Sequence, residues 1–453
     1  MSSEAKRQKV DGETETSENP SAIPPFLSWC KKMGLELNSK VHISMHGTVS
    51  QYGMLAHEDI STGELLFKIP RSALLSQHTT IICDLLEKEK ESLQSRSGWV
   101  PLLISLLYEA TDVSSPWAPY FALWPDLTPP DLPMFWSEDE QTQLLKGTGV
   151  PEAVRRDMEN MEKEYNSIVL PFIKKHPDTF CPEKHAFDLY KRLVAFVMAY
   201  SFQEPMEEEE EDTGKEVFPP MMVPVADLLN HIAQHNARLE FTPECLRMIS
   251  ISPIHAGQEV FNTYGQMANW QLLHMYGFTE PHPQNCNETA DIRMVTLKEA
   301  ALQGAVSEER VLVQEKWDFL CNMEMVSEEG ALVFGCSEVM TDEEVKTCLK
   351  VLCMSAEEFT EYKDNEGWEE DEDEEEETMT IQDIAYLPKS WRKVLHGSAK
   401  LTLEDYATDF TTDQELLNDR TAYAKLSPRA HNSLQVRYGQ KRILHQVMEL
   451  SGK

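Results

Sequence analysis

Val225-Ala226-Asp227-Leu228-Leu229-Asn230-His231, followed by Asn236, and Phe261-Asn262-Thr263-Tyr264-Gly265 are the stretches on which the fold turns. The first is an apolar run that carries a carboxylate and closes on an Asn-His pair. Those are residue types that turn a chain and offer side-chain hydrogen bonds. The second is a run of strand-forming residues that stops at a tyrosine before a glycine. Taken singly, each is a turn or a core tyrosine. They lie about thirty residues apart. Between them, Leu239-Glu240-Phe241 and Leu246-Arg247-Met248-Ile249 predict a hairpin across Thr242-Pro243-Glu244. The second stretch continues a strand predicted from Gln258 to Tyr264.

Working outward, the N-terminal side repeats the strand texture. Val41-His42-Ile43, Gly53-Met54-Leu55-Ala56 and Leu65-Leu66-Phe67-Lys68-Ile69 are short apolar runs punctuated by Gly47, Gly53, Gly63 and Pro70. They predict a small β-meander. From about Leu74 to Tyr200 the period is helical. Leu102, Leu103, Leu106 and Leu107 follow Pro101, and Leu193, Val194, Phe196, Val197 and Tyr200 mark another buried helix. Beyond Ala300 the chain again reads as mostly helical, ending on the amphipathic Ile443, Val447 and Leu450. The layout is β, helical insertion, β, then a separate helical unit. We read residues 1–22 as a tail and 23–285 as an α+β domain with an insertion at about 75–215. Residues 286–453 read as an all-helical domain with an acidic loop at 364–378.

With 453 residues, 41% of them apolar, the chain affords two or three domains. No apolar run approaches the roughly 18–20 residues of a membrane span, and Met1 to Pro20 has no apolar signal core. The expectation is a soluble chain not exported by that route. The net charge of −36 comes from 77 acidic against 41 basic residues, with acidic runs at Glu207–Asp212 and Glu369–Glu377. Such a balance disfavours direct nucleic-acid binding; the runs read as solvated loops, with attraction for basic partners as the sharper alternative. The cluster Lys6-Arg7-Gln8-Lys9 has the form of a nuclear import signal. The nine cysteines are scattered without zinc-knuckle spacing, which predicts reduced thiols and no metal.

The sequence has no P-loop, no Gly-x-Gly-x-x-Gly after a strand, no His-Glu-x-x-His and no Gly-x-Ser-x-Gly. In their order and spacing, the two opening stretches resemble the SET domain of protein lysine methyltransferases. Gly47-Thr48-Val49-Ser50-Gln51-Tyr52-Gly53-Met54-Leu55-Ala56 resembles its N-terminal strand pair. Pro119-Tyr120-Phe121-Ala122-Leu123-Trp124-Pro125, with Phe135-Trp136 and Leu145-Lys146-Gly147-Thr148, resembles the helical insertion of one subclass. That subclass includes the Rubisco large-subunit methyltransferases and lacks a zinc-binding segment. The segment from Tyr406 to Leu417 and Arg437-Tyr438-Gly439-Gln440-Lys441 resemble its helical substrate-binding domain. The likeness spans nearly all of the chain after residue 22.

The resemblance implies a split SET domain and S-adenosyl-L-methionine as methyl donor. It implies protein substrates with an exposed lysine, a RelA-like transcription factor and histones among them, in the nucleus, with one methyl added per lysine. In-line transfer of a methyl group to an amine needs no metal but needs a neutral lysine. At a pKa of about 10.4, neutralising lysine at pH 7 costs about 4.6 kcal/mol. Burial and a neighbouring positive sulfonium both lower that cost.

By the same resemblance Tyr264 is the catalytic residue, orienting the amine with its hydroxyl. Asn230 and His231 hold the cofactor, through backbone groups and the Asn amide, while Ser50, Gln51 and Tyr52 line it through backbone atoms. Tyr200 and Tyr276 face it with their rings. Trp99, Ser201 and Gln203 line the lysine channel. Asp227 reads as structural. A histidine methylator of the same fold and a non-catalytic acidic adaptor for basic proteins are the rival readings.

Overall fold

The computed structural model describes residues 22–124, 129–205, 218–364 and 378–453. The basic cluster Lys6–Lys9 and both acidic runs lie outside the described residues. The strands in chain order are β1 (Glu36–Leu37), β2 (Val41–Ser44), β3 (Gly53–Ala56), β4 (Leu65–Pro70), β5 (Ser201–Phe202), β6 (Met221–Met222), β7 (Ala237–Phe241), β8 (Cys245–Ser250), β9 (Glu259–Val260), β10 (Thr289–Arg293) and β11 (Ala331–Gly335).

The expected meander is divided between two sheets. β2 and β3 pair antiparallel, and β9 joins β3's other edge. β4 instead lies in a second sheet of order β1-β4-β8-β7. Its Leu66, Phe67 and Ile69 are all buried, so side chains on both of its faces are covered, as a central strand demands. The β7–β8 hairpin forms as the sequence predicts, pairing Phe241 with Leu246. The strand expected over Gln258–Tyr264 leaves its ladder at Val260. From there the chain crosses the other diagnostic stretch: the Asn262 N–H donates to Asn230 O at 2.9 Å, and His231 and Asn262 form a parallel bridge.

The insertion supplies helices from Cys83–Lys88 to Phe187–Tyr200. Val100–Glu109 carries Pro101 in its first turn, where the missing N–H costs nothing, and is buried along most of its length. These helices and the sheets enclose one apolar core.

A second core lies in the C-terminal unit, around Trp317, Phe334, Leu349 and Leu444. That unit, expected to be wholly helical, also contains the antiparallel β10–β11 ribbon. Its strands bury Ala290 and Ile292 against Leu332 and Phe334 at every second position.

The helix Pro428–Ser451 docks this unit onto the insertion. Arg437 and Lys441 both bind the buried Asp413 carboxylate, at 2.9 and 2.7 Å. Arg437 Nη1 also donates to Leu144 O at 2.6 Å, and Gln440 to Thr148 O at 3.1 Å. Gly147 has φ +84°, and a Cβ there would lie 2.8 Å from the Tyr406 backbone. Only glycine tolerates both conditions.

Candidate active site

The site is built where the two crossing stretches meet. Val225 is held at φ 79°, a conformation strained for a β-branched residue. The turn it makes sends Asp227 inward. The Tyr120 hydroxyl donates to Asp227 Oδ2 at 2.6 Å, while Oδ1 has no partner among the described residues. Burial pushes this carboxyl up to about 8.

Asn230 ties the loop to the opposite wall. Its amide nitrogen donates to Tyr52 O at 2.9 Å and to Glu259 Oε1 at 2.7 Å. Glu259 Oε2 in turn accepts from Val49 N–H at 2.8 Å. A Cβ on Gly53 would come within 2.6 Å of the Glu259 carboxylate, so that glycine makes the approach possible.

The His231 ring serves Tyr264. Its Nδ1 accepts from Tyr264 N–H at 3.0 Å, which assigns the ring proton to Nε2. Burial pulls its pKa down to about 4, so the ring is neutral. It stacks on Tyr264 at 5.1 Å, and Tyr264 stacks on Tyr276 at 4.6 Å. The Tyr264 hydroxyl donates to Leu229 O at 2.8 Å, and burial raises its phenol far above the ordinary value. Burial likewise pushes Tyr276 up to about 12. Tyr200, the last residue of its helix, packs on Trp124 with ring centroids 4.4 Å apart.

Two adjoining cavities result. The larger, of about 550 Å³, is lined by Val49, Ser50, Gln51, Tyr52, Trp124, Pro130, Asp131, Asn230, His231 and the stretch Tyr276–Pro281. The smaller, of about 320 Å³, is lined by Trp99, Met198, Ser201, Gln203, Thr263, Met267 and Met275. Ala199, Tyr200, Asp227, Tyr264 and Tyr276 border both. The structure therefore brings Ser50, Gln51, Tyr52, Tyr200, Asn230, His231 and Tyr276 to one cavity and Trp99, Ser201 and Gln203 to the next, with Tyr264 at the junction.

The Asn230 amide N–H groups donate to protein oxygens, and His231 Nδ1 accepts from Tyr264 N–H, so both side chains brace the cavity wall. Gln203 is also tied, donating to Phe218 O at 3.3 Å.

Glu259, Trp124, Phe278 and the three methionines escaped sequence reasoning. Glu259 stands one residue before Val260 in a strand whose alternation hides it, although its partner Asn230 was singled out. Trp124 stands inside the aromatic segment Pro119–Pro125 and Phe278 shortly after Tyr276, without a signal that separates lining from core.

Chemically, the larger cavity suits a polar ligand with one positive centre near the junction. Aromatic faces from Tyr200, Tyr264 and Tyr276 favour positive charge there. The smaller cavity suits a thin apolar stem. No cluster of metal-ligating side chains occurs among the described residues.

Comparison with known proteins agrees with this geometry. Residues 51–265 match the SET domain model, and residues 307–444 match the model described as Rubisco LSMT substrate-binding. The chain is 68% identical to N-lysine methyltransferase setd6 of Xenopus laevis over 454 residues, covering 100% of both. It is 55% identical to N-lysine methyltransferase SETD6 of Homo sapiens, again covering 100% of both. Among solved structures, Rubisco LSMT bound to AdoMet superposes with a TM-score of 0.64 at 17% identity, over 96% of this chain and 92% of that one. The SET domain of LSMT bound to lysine and AdoHcy gives 0.65 at 18%, over 95% and 91%.

Proposed function

The chain belongs to the SETD6 family of SET-domain N-lysine methyltransferases, and from that premise we propose how its two cavities divide the work. As a family member it is an S-adenosylmethionine-dependent enzyme that methylates lysine in protein substrates. In our reading the 550 Å³ cavity takes the cofactor and the 320 Å³ cavity takes the lysine side chain. Tyr264 is the catalytic residue between them. The observation that carries this assignment is that Tyr264 walls both cavities, with its backbone fixed by His231 and its hydroxyl by Leu229 O.

When bound, the cofactor supplies an electrophilic methyl on a sulfonium. The protein's part is to position and neutralise the amine. The methionine and aromatic walls strip water from the lysine stem and so disfavour its charged form. The hydroxyl oxygen of Tyr264, a residue that both cavities share, orients the amine and its lone pair toward the junction. The same oxygen would stabilise the polarised methyl of a bound cofactor. Addition of one methyl per lysine is part of the proposal and rests on the family likeness. Nuclear location is proposed from the basic cluster Lys6–Lys9, histones as substrates from the acidic charge of the chain, and a RelA-like factor from the family resemblance.

The test is transfer of labelled methyl from S-adenosylmethionine into a nuclear extract, followed by digestion to identify the modified residue. Monomethyl-lysine is the expected product. Tyr264→Phe is expected to lower kcat by about 10²–10³, the cost of losing one oriented hydrogen-bonding group, with cofactor binding retained. Label on histidine, or unchanged kcat in the variant, would contradict the assignment.

A further inference from the structure

The helix Pro428–Ser451 belongs to the unit whose family model is described as substrate-binding, yet one of its faces is spent on the rim of the larger cavity. Positions 429, 432 and 435 recur every three residues and so share that face. Arg429 grips Asp131 with two bonds, Nε to Oδ2 at 2.9 Å and Nη2 to Oδ1 at 2.7 Å. It also reaches Glu140 at 2.8 Å and lies over the Trp136 ring, 5.1 Å from its centroid. Asn432 donates to Gly277 O at 3.3 Å and accepts from the Thr279 hydroxyl at 3.0 Å. Gln435 accepts from His282 N–H at 2.9 Å. Asp131, Gly277 and Thr279 line the larger cavity, and the Asp131 backbone lies against Gly277 so closely that a Cβ there would meet it at 3.2 Å.

We propose that Arg429, Asn432 and Gln435 are positioning residues for S-adenosylmethionine: the C-terminal unit sets cofactor affinity by bracing the pocket rim. This rests on the reading of that cavity as the cofactor site. The rim consists of irregular backbone, at 130–131 and after the helix that ends at Tyr276. Irregular segments are ordered either by the scaffold beforehand or by the ligand at a cost in affinity. The ladder on the helix orders them beforehand. Its loss therefore acts on cofactor binding, while the amine-orienting groups around Tyr264 stay in place. Linkage makes the effect reciprocal: a protein substrate that shifts this helix changes cofactor affinity, and bound cofactor changes affinity for that substrate by the same factor.

The test is calorimetric titration of the full chain with S-adenosylhomocysteine, alongside the thermal midpoint of the unliganded protein. Asn432→Ala and Thr279→Val reach the same bond from opposite sides. Each is expected to raise Kd by about five- to ten-fold, and the double variant to add little more. Arg429→Ala is expected to behave likewise and to remove part of the salt dependence of binding. Arg429→Lys, which keeps the charge but not the two-bonded grip, should recover part of the loss.

Asn230→Ala serves as the control inside the cavity. Lower midpoints with an unchanged Kd in every ladder variant, while Asn230→Ala abolishes binding, would overturn the inference and leave the cofactor site standing. Unchanged Kd in Asn230→Ala as well would overturn the site assignment and, with it, the inference.

Discussion

Tyr120 and Asp227 form a buried donor–acceptor pair that bridges the insertion and the diagnostic loop, 107 residues apart in sequence. The Asp227 carboxyl is raised from 3.8 to about 8. The folded state therefore binds this proton more tightly than the unfolded chain does, and its contribution to stability falls as pH rises from about 4 to about 8. Asp227→Asn is expected to flatten the decline of the unliganded protein's Tm over that window, measured by calorimetry. Glu288, raised to about 8 by burial, contributes the same sign and remains in the variant. Tyr120→Phe removes the donor and should lower stability by about 1–3 kcal/mol in chemical denaturation. Tyr264, Asn230 and His231 were legible because their types and order are unusual together. Their partners were not: Leu229 O, Glu259 and Tyr52 O become neighbours only through the crossing of two distant segments, which no local pattern encodes.

Glu259 makes the three-stranded sheet into the wall of a binding site. It stands on the short β9, 7% exposed, and satisfies both the Asn230 amide and the Val49 N–H of the loop between β2 and β3. Glu259→Ala leaves two donors without their acceptor. The expected result is a loss of about 1–3 kcal/mol of stability, together with weaker S-adenosylhomocysteine binding by calorimetry, since Val49–Tyr52 loses its anchor. A variant that keeps wild-type affinity would show that this loop is held by the strands alone. At this scale the sequence revealed most elements but not their assortment. Glycine punctuation suggested that β2, β3 and β4 pair in succession, whereas burial on both sides of β4 sends it to β8. The β10–β11 ribbon was missed for a related reason. Its alternation at Ala290, Ile292, Leu332 and Phe334 is visible, but it is set among helices and its partners lie about forty residues apart.

The helix that docks the C-terminal unit on the insertion is anchored within its own unit by charge that water does not reach. Asp413 and Lys441 have side chains only 1% and 0% exposed, and Arg437 7%. The two cations hold the Asp413 carboxyl below its ordinary value despite the opposing cost of burial. Its stabilising contribution is present above the ordinary carboxylate range and is lost as pH falls through the lowered folded value. Asp413→Ala strands two buried cations and is expected to cost about 3–5 kcal/mol, read as a lower denaturation midpoint. Replacing all three residues with apolar side chains of similar size should cost far less. The division of the chain into a β region, a helical insertion and a helical unit was legible from texture and periodicity. The docking was not, because Gly147, Leu144 and Thr148 give no local sign that a helix some 290 residues later will close on them.

Trp124 forms part of the larger cavity's wall, packed on Tyr200 and set edge-on to Tyr52. Its indole N–H is buried and has no acceptor among the described residues. A ligand that enters beside it changes both the polarity around the ring and the groups able to quench it. The enzyme thus carries its own optical reporter. Titration with S-adenosylhomocysteine should change tryptophan emission in the wild type, and Trp124→Phe should lose that change.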